Sequence, residues 1–513
     1  MIDMWYERMI RSLLDSRTDV LFVFDPMNLI EYSKIEEIIG GEYPTIMKYT
    51  NELELRRILR KNTQKILVIF EDKNYIPFDL LSTYAVIDID ISDIFPLLNE
   101  EALLNIPYDD YQLIYESYTE IKSEKFEKLS KEDTKKFLNC VLLSNKTKYR
   151  KKVLELRSSL NELIRTPITD CRRWTSIAGE ISKIFGELMF TVHCKNIEIN
   201  TEELENTKKE INKQFKEQIK KYYEDLIYYP NPLINSNILH IIFQDKNSRN
   251  ALICFDCMGF EEWNAIKGYL DERTHLKFNM KYSFSMLPSE TNYSSSALFA
   301  GLLPKEIKEL EFINSMNWKN EERLFKYAIS EKMGIDDCQI YFQRCGTPKE
   351  VKISYDCFSD YRAIGMVFSF IDRFTHRNLV NKKILLNDIQ THLEDSDLDS
   401  LIMALLDQEF RVWFVSDHGS IFSKGNGINV SKDLVDLKAK RCLIGSRIGL
   451  LKEYKTDDSF LIQFKNIIGD EYMLLLTGNY MFAGKNEKGL THGGISLEEV
   501  VVPFIEVKYD ERV

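Results

Sequence analysis

The feature that most constrains this chain is a series of strand-length apolar runs, several ending on an acidic or turn residue, with helical stretches between them. Over residues 246–513 the runs Ala251–Phe255, Arg411–Val415, Tyr472–Leu476 and Val500–Val507 recur in this way. Near-continuous apolar strands alternating with helices predict an α/β fold whose doubly wound sheet carries helices on both faces. Residues 1–105 repeat the pattern on a smaller scale. There Val20–Phe24 and Ile66–Phe70 flank the helically spaced Asn51–Lys61, and Ala85–Ile91 is a weaker strand, so a small open α/β domain is expected. The turn Asp25-Pro26 after the first run fits either a strand-ending turn or a metal or phosphoacceptor site, as in receiver domains; the acidic pair and late lysine that a receiver requires are missing, which favours the turn.

Residues 106–245 have a different texture. Lys122–Arg165 and Glu202–Asp225 are rich in Lys, Glu, Leu and Ile, contain no Gly or Pro, and predict a helical linker or partner-binding region. Residues 119–165 carry 13 basic and 7 acidic side chains, whereas residues 1–100 carry 11 basic and 18 acidic. Such a basic stretch suits a contact surface for nucleic acid or a partner, or the solvated face of a bundle. Pro230–Pro232 reads as a boundary, after which a third domain, 246–513, would hold the chemistry. With a net charge of −12 the whole surface is unsuited to coating duplex DNA. No apolar run is long enough to span a bilayer, and Asp3, Glu7, Arg8 and Arg11 break any secretory leader. Nine scattered cysteines fit free thiols in a cytoplasmic protein.

Three of the seven histidines stand in contexts suited to metal binding. His418 follows Asp417 directly after the run Arg411–Val415. His492 lies in the glycine-flanked Thr491-His492-Gly493-Gly494. His376 follows Asp372 by four residues, a spacing that turns both side chains to one side of a helical turn. Asp256 ends the run Ala251–Phe255, where a carboxylate is well placed to hold a cation. Cys254 and Cys257 form a lone C-x-x-C with no second pair, and read as buried thiols. Thr291 opens a helix after a hydroxyl-rich turn, Pro288-Ser289-Glu290-Thr291-Asn292, so it would face a phosphate-binding spot or serve as an ordinary cap.

These pieces, in the order Asp256, Thr291, Asp372/His376, Asp417/His418, His492, resemble the alkaline phosphatase superfamily and, within it, the PglZ family of bacteriophage exclusion (BREX) defence systems. The motifs that carry the resemblance are FDCMGF, PSETNYSSSALFAG, DRFTH, VSDHG and THGGISLEEVVVPF, spanning roughly residues 246–510. The first hundred residues, with VLFVFDP and ILVIFED, look similar to the N-terminal region of the same proteins. The resemblance implies a catalytic domain with two divalent ions, zinc with manganese as a substitute. One would be held by Asp372, His376 and His492, and the other by Asp256, Asp417 and His418 with the Thr291 hydroxyl. Thr291 would be the nucleophile of a phosphodiesterase or phosphatase, acting on nucleic acid or an oligonucleotide. The family often has Thr where this chain has Ser289. The sulfatase nucleophile segment C-x-P-S-R is missing from PSETNYSSS, which disfavours that branch.

The implied partners are other proteins of a phage-defence system, of the methyltransferase and ATPase types. The alternative is a catalytically vestigial scaffold subunit of a multiprotein defence complex, motivated by the large non-catalytic half. Ser289, Asn292, Lys424 and Arg441, with Lys438 and Lys440 beside the last, are candidate substrate-binding residues, against the alternative of solvated loop charges for the basic ones.

Overall fold

A computed structural model describes residues 5–510 apart from 16–17, 33–38, 40–41, 62–63, 105, 107–109, 112–113, 116, 119–126, 144, 196, 198, 229–232, 246, 378–380 and 431–438. The expected boundary Pro230–Pro232, Lys438 and the beginning of the basic stretch lie outside the described residues. Residues 1–152 and 153–513 form two compact units, divided within the stretch expected to be one helical region.

In the first unit, strands β1 (Val20–Phe24), β2 (Thr45–Lys48), β3 (Ile66–Phe70) and β4 (Ala85–Asp88) form an all-parallel sheet in the order β2-β3-β1-β4. Alternate residues of β1 face opposite layers: Leu21 and Val23 pack into one apolar cluster and Phe22 into another. Asp25 is the buried end of β1. Its two carboxylate oxygens accept from the N–H groups of Leu29 and Ile30, both at 2.9 Å, so its local role is to cap the helix Leu29–Tyr32. In the stretch Lys122–Arg165, expected to be helical, the described residues form a pair of helices, Lys131–Leu143 and Asn145–Arg165, preceded by non-helical 127–130.

The second unit is built on strands β5 (Leu233–Ile234), β6 (Arg249–Phe255), β7 (Leu276–Phe284), β8 (Ile340–Cys345), β9 (Ala363–Phe368) and β10 (Phe410–Val415). Two small three-stranded sheets follow, made of β11 (Ile421–Gly425), β12 (Cys442–Gly445), β13 (Ser459–Ile462), β14 (Tyr472–Leu476), β15 (Tyr480–Met481) and β16 (Lys488–Thr491). Strand β17 (Val501–Tyr509) returns to complete a seven-stranded sheet, β5-β7-β17-β10-β6-β9-β8, in which β17 alone runs antiparallel to its neighbours. Contrary to expectation, the run Tyr472–Leu476 is not a strand of this sheet but the centre of the sheet β12-β14-β13. An apolar run of that length specifies a strand buried between two neighbours and leaves open which neighbours they are.

Helices cover both faces, and the period-two alternation of β6 assigns its side chains. Ala251, Ile253 and Phe255 pack with Trp263, Ile266 and Leu270 of the helix Phe260–Arg273 and with leucines of the helices Lys382–Glu394 and Leu398–Asp407. Leu252 and Cys254 face Leu298, Phe299 and Phe325 on the other side. Truncating a residue such as Phe414, fully buried in the first layer, to alanine would cost about 3–5 kcal/mol. The helix Cys171–Lys195 lies against this core through two glycines. A side chain at Gly186 would collide with Phe260, and one at Gly179 with the Tyr282 ring. No helix among the described residues is long and apolar enough to cross a membrane.

Candidate metal centre

Strands β10, β6 and β9 are parallel neighbours, so the residues just past their carboxyl ends emerge side by side. Asp256 follows β6, Asp417 and His418 follow β10, and Asp372 lies in the short helix Phe370–Thr375 after β9 with His376 at its end. His492 enters from the end of β16, and Thr291 is the first residue of the helix Thr291–Ala300. The fold thus brings together every residue that the sequence marked as a ligand.

They gather as two adjoining groups, Asp372/His376/His492 and Asp256/Asp417/His418, with the donor atoms of each group within 4.8 Å of one another. In the first, His376 Nε2 lies 2.9 Å and His492 Nε2 3.7 Å from Asp372 Oδ1, and the two Nε2 atoms are 3.3 Å apart. In the second, His418 Nε2 lies 3.5 Å from Asp417 Oδ2 and 3.9 Å from Asp256 Oδ1. The hydroxyl of Thr291 is 3.0 Å from the same Nε2. The groups meet where the rings of His418 and His492 stack, with centroids 4.2 Å apart.

Backbone contacts aim these donors inward. The Nδ1 of His418 bonds the Gly419 carbonyl at 3.2 Å and that of His492 the Ser289 carbonyl at 3.3 Å, so each ring donates at Nδ1 and turns the lone pair of Nε2 to the centre. Ser294 Oγ and Asn235 Nδ2 both donate to the Asp417 carbonyl, at 2.6 and 2.7 Å, and fix that loop. Gly419 is required where it stands, because a Cβ there would strike the Glu498 carbonyl oxygen in the short helix Leu497–Val500 that follows the His492 loop.

Asp256 Oδ1 and Asp417 Oδ2 are buried without a hydrogen-bond donor. Burial and the facing Asp417 push the Asp256 carboxyl well above its usual range. Burial would raise Asp372 too, but contact with His376 and the nearby imidazoles hold it well below the usual carboxylate range. Burial, with His418 and His376 close by, pushes the His492 imidazole well below its ordinary value and leaves its lone pair free. Buried carboxylate oxygens with no donor, facing imidazole lone pairs, are a donor set that divalent cations fit, and the mixture of nitrogen and oxygen suits Zn²⁺.

The remaining candidates divide. Ser289 is buried, donates to the Gly494 carbonyl at 2.8 Å and, through its own carbonyl, orients His492. Asn292 bonds Glu290 and accepts from the Trp318 N–H, beside the Thr291 helix start. Lys424 is exposed on β11 with its ammonium 4.9 Å from the Tyr480 ring centroid, and Lys440 pairs with Glu487. Arg441 cannot hold a substrate phosphate. It is fully buried, with its Nε 2.9 Å from Glu499 Oε1, and that carboxylate in turn accepts from the Gly494 and Ser496 N–H groups of the His492 loop. Cys254 and Cys257 are fully buried free thiols that burial pushes well above their usual range.

Sequence reading missed Arg344, Glu321 and Trp318. Arg344 donates to Asp256 Oδ2 and, at 2.7 Å, to both oxygens of the buried Glu321, which also accepts from Ser295 Oγ. The one available signal was a charged residue in the otherwise uncharged strand Ile340–Cys345.

Fold and centre define the class, an alkaline phosphatase-like α/β domain. Residues 234–507, more than half of the chain, match the family model described as the BREX system PglZ alkaline phosphatase-like domain, and the chain belongs to that PglZ family. Similar solved structures include murine ectonucleotide pyrophosphatase/phosphodiesterase 5 as an inactive variant with AMP (TM-score 0.36, 9% identity, 51% of this chain and 88% of that one). The same murine protein (0.35, 10%, 50% and 88%) and its human counterpart (0.31, 9%, 51% and 87%) are others. No curated protein matches the sequence significantly.

Proposed function

We propose that this domain is a two-cation phosphoric ester hydrolase with Thr291 as its nucleophile, serving a BREX-type phage-defence system alongside methyltransferase- and ATPase-type subunits. The observation that carries this reading is the convergence of three imidazole nitrogens, three carboxylates and a hydroxyl at the carboxyl ends of adjacent strands. Asp372, His376 and His492 would hold one divalent cation, and Asp256, Asp417 and His418 the other, zinc or manganese in each case. Such cations, when bound, polarise phosphoryl oxygens and lower the pKa of a neighbouring hydroxyl or water. Thr291 Oγ1 is to attack phosphorus, forming a phosphothreonine as the ester oxygen leaves with a proton; water then cleaves that ester and releases the second product. The free N–H groups at the start of the helix Thr291–Ala300 suit the charge on the phosphoryl oxygens.

A vestigial scaffold would be expected to have lost donors, and this chain retains all seven. The test is metal content together with hydrolysis of bis(p-nitrophenyl) phosphate and its monoester. Two ions per chain are expected, with Thr291→Ala losing more than about 1,000-fold in kcat and Asp417→Ala losing one ion. Metal-loaded wild-type protein that turns over neither ester would overturn the reading.

A further inference from the structure

The edge strand β8 opens beside the metal centre onto a cleft of about 600 Å³, within the size range of ligand pockets. Trp318, Lys319, Tyr341, Arg344, Lys352 and Tyr361 line it. Two links tie it to the metal centre and to the start of the Thr291 helix. Arg344 reaches from the cleft to Asp256, while its guanidinium lies 4.9 Å from the Trp318 ring centroid. The Trp318 backbone N–H donates to Asn292 Oδ1, on the residue that follows Thr291. Trp318 is nevertheless 39% exposed, and the rings of Tyr341 and Tyr361 also line the cleft, 5.4 Å apart.

The charges in the cleft are unevenly matched. Glu321 is neutralised by Arg344, and Glu322 pairs with Lys326 at 2.7 Å. The ammonium groups of Lys319, 5.9 Å from the Trp318 ring centroid, and of Lys352 have no carboxylate partner among the described residues. Aromatic faces interleaved with unpaired cations, next to a centre for phosphate esters, match a ligand that alternates flat bases with phosphates. We infer that this cleft is a subsite for an unpaired nucleotide flanking the scissile bond of a single-stranded oligonucleotide, an assignment that rests on the phosphodiesterase reading of the metal centre. The base stacks on Trp318, and Lys319 and Lys352 attend the backbone. A duplex keeps its bases stacked on each other and has none to offer.

The test is fluorescence anisotropy on the full chain, with EDTA and with zinc, using labelled single-stranded DNA of about eight nucleotides, its RNA counterpart and the DNA duplex. Single strands are expected to bind more tightly than the duplex, and the RNA arm reports the sugar preference. Trp318→Ala weakens single-strand binding roughly 5- to 150-fold, while Trp318→Phe keeps it. Lys319→Glu with Lys352→Glu weakens binding and flattens its salt dependence. In Trp318→Ala the ratio of kcat/KM for the oligonucleotide to that for bis(p-nitrophenyl) phosphate falls by the same factor. Unchanged affinity in Trp318→Ala, or equal affinity for the duplex, overturns the subsite. Turnover of the small ester together with Trp318-independent oligonucleotide binding removes the subsite alone. Trp318-dependent binding without hydrolysis of either substrate removes the phosphodiesterase reading and leaves the cleft a nucleotide site.

Discussion

Asp417→Asn should stabilise the metal-free protein and abolish its stabilisation by metal, a change of sign that few other roles for Asp417 would produce. Oδ1 of this residue accepts from the N–H groups of Cys257 and His418, at 3.2 and 3.0 Å. Oδ2 is buried with no donor, 3.5 Å from His418 Nε2. Asparagine has the same shape. Its carbonyl keeps both bonds, and its uncharged amide takes the place of Oδ2, facing the lone pair of His418 Nε2, which it shares with the Thr291 hydroxyl 3.0 Å away. Without metal, the substitution removes a buried carboxylate oxygen with no donor, relieving about 1–3 kcal/mol. At roughly 2 °C per kcal/mol for a chain of this size, Tm rises by about 2–6 °C. With zinc at a hundredfold excess over Kd the wild type gains about 2.7 kcal/mol, or roughly 5 °C. The variant, having lost the anionic ligand, gains little. Differential scanning fluorimetry in EDTA and in zinc should therefore show the variant's lead shrinking by roughly 5 °C in zinc, and the order exchanging wherever that lead is smaller. A variant less stable than wild type in EDTA, or one with an undiminished zinc shift, would refute the reasoning.

Three further outcomes are expected. Arg441→Met strands the buried Glu499 and should cost about 3–5 kcal/mol in Tm or denaturant measurements, with loss of bound metal through the His492 loop; an arginine that merely contacted substrate would leave stability unchanged. The Glu498 carboxyl lies below its usual range because Lys208, 2.9 Å away, and Lys382 outweigh its burial. A depressed carboxylate contributes stability above the unfolded value of about 4.3 and loses it as pH falls through the folded value, so Lys208→Met should flatten the acid limb of a Tm–pH profile. A thiol-reactive chromogenic disulfide should promptly modify the exposed Cys140, Cys338 and Cys357, whereas Cys254 and Cys257 react only on unfolding; fast labelling of either buried thiol in the native protein would contradict the packing described.

What the sequence disclosed and what it hid follow one physical division. Strand-length runs ending in Asp256 or Asp417-His418 were legible because the chemistry lies within a few residues of the strand end, and in parallel sheets such ends share one edge. Thr291 and His492 were legible from equally local turns. Arg344 stands 88 residues from the Asp256 that it holds, and nothing beside it in Ile340–Cys345 announces that pairing. Arg441 misled for a related reason. It sits among lysines, Lys438 and Lys440, in what reads as a solvated loop, yet its partner Glu499 lies 58 residues on and draws it inside. The run Tyr472–Leu476 had the correct extent and the wrong sheet, since apolarity records burial and leaves the pairing partner unstated. Local chemistry is written locally; partners brought in by the fold are not.

The same division bears on the net charge of −12, which by itself discourages a polyanionic substrate. Around the centre stand Asp256, Asp372, Asp417 and Glu321 against the guanidinium of Arg344, an excess of three negative charges when all four carboxyls are ionised, as cation ligands would be, and the imidazoles are neutral. Arg344 cannot supply the missing charge, because it binds Asp256 through Oδ2 while Oδ1, on the inner side, has no donor. The guanidinium is also planar and already committed to Glu321 through both oxygens. Two divalent cations would turn the excess of three negative charges into one positive charge, at the point where the proposed reaction would bring a phosphodiester to Thr291. The acidic composition and an anionic substrate are then compatible: the carboxylates that make this region of the chain acidic are the ones that would make its centre positive.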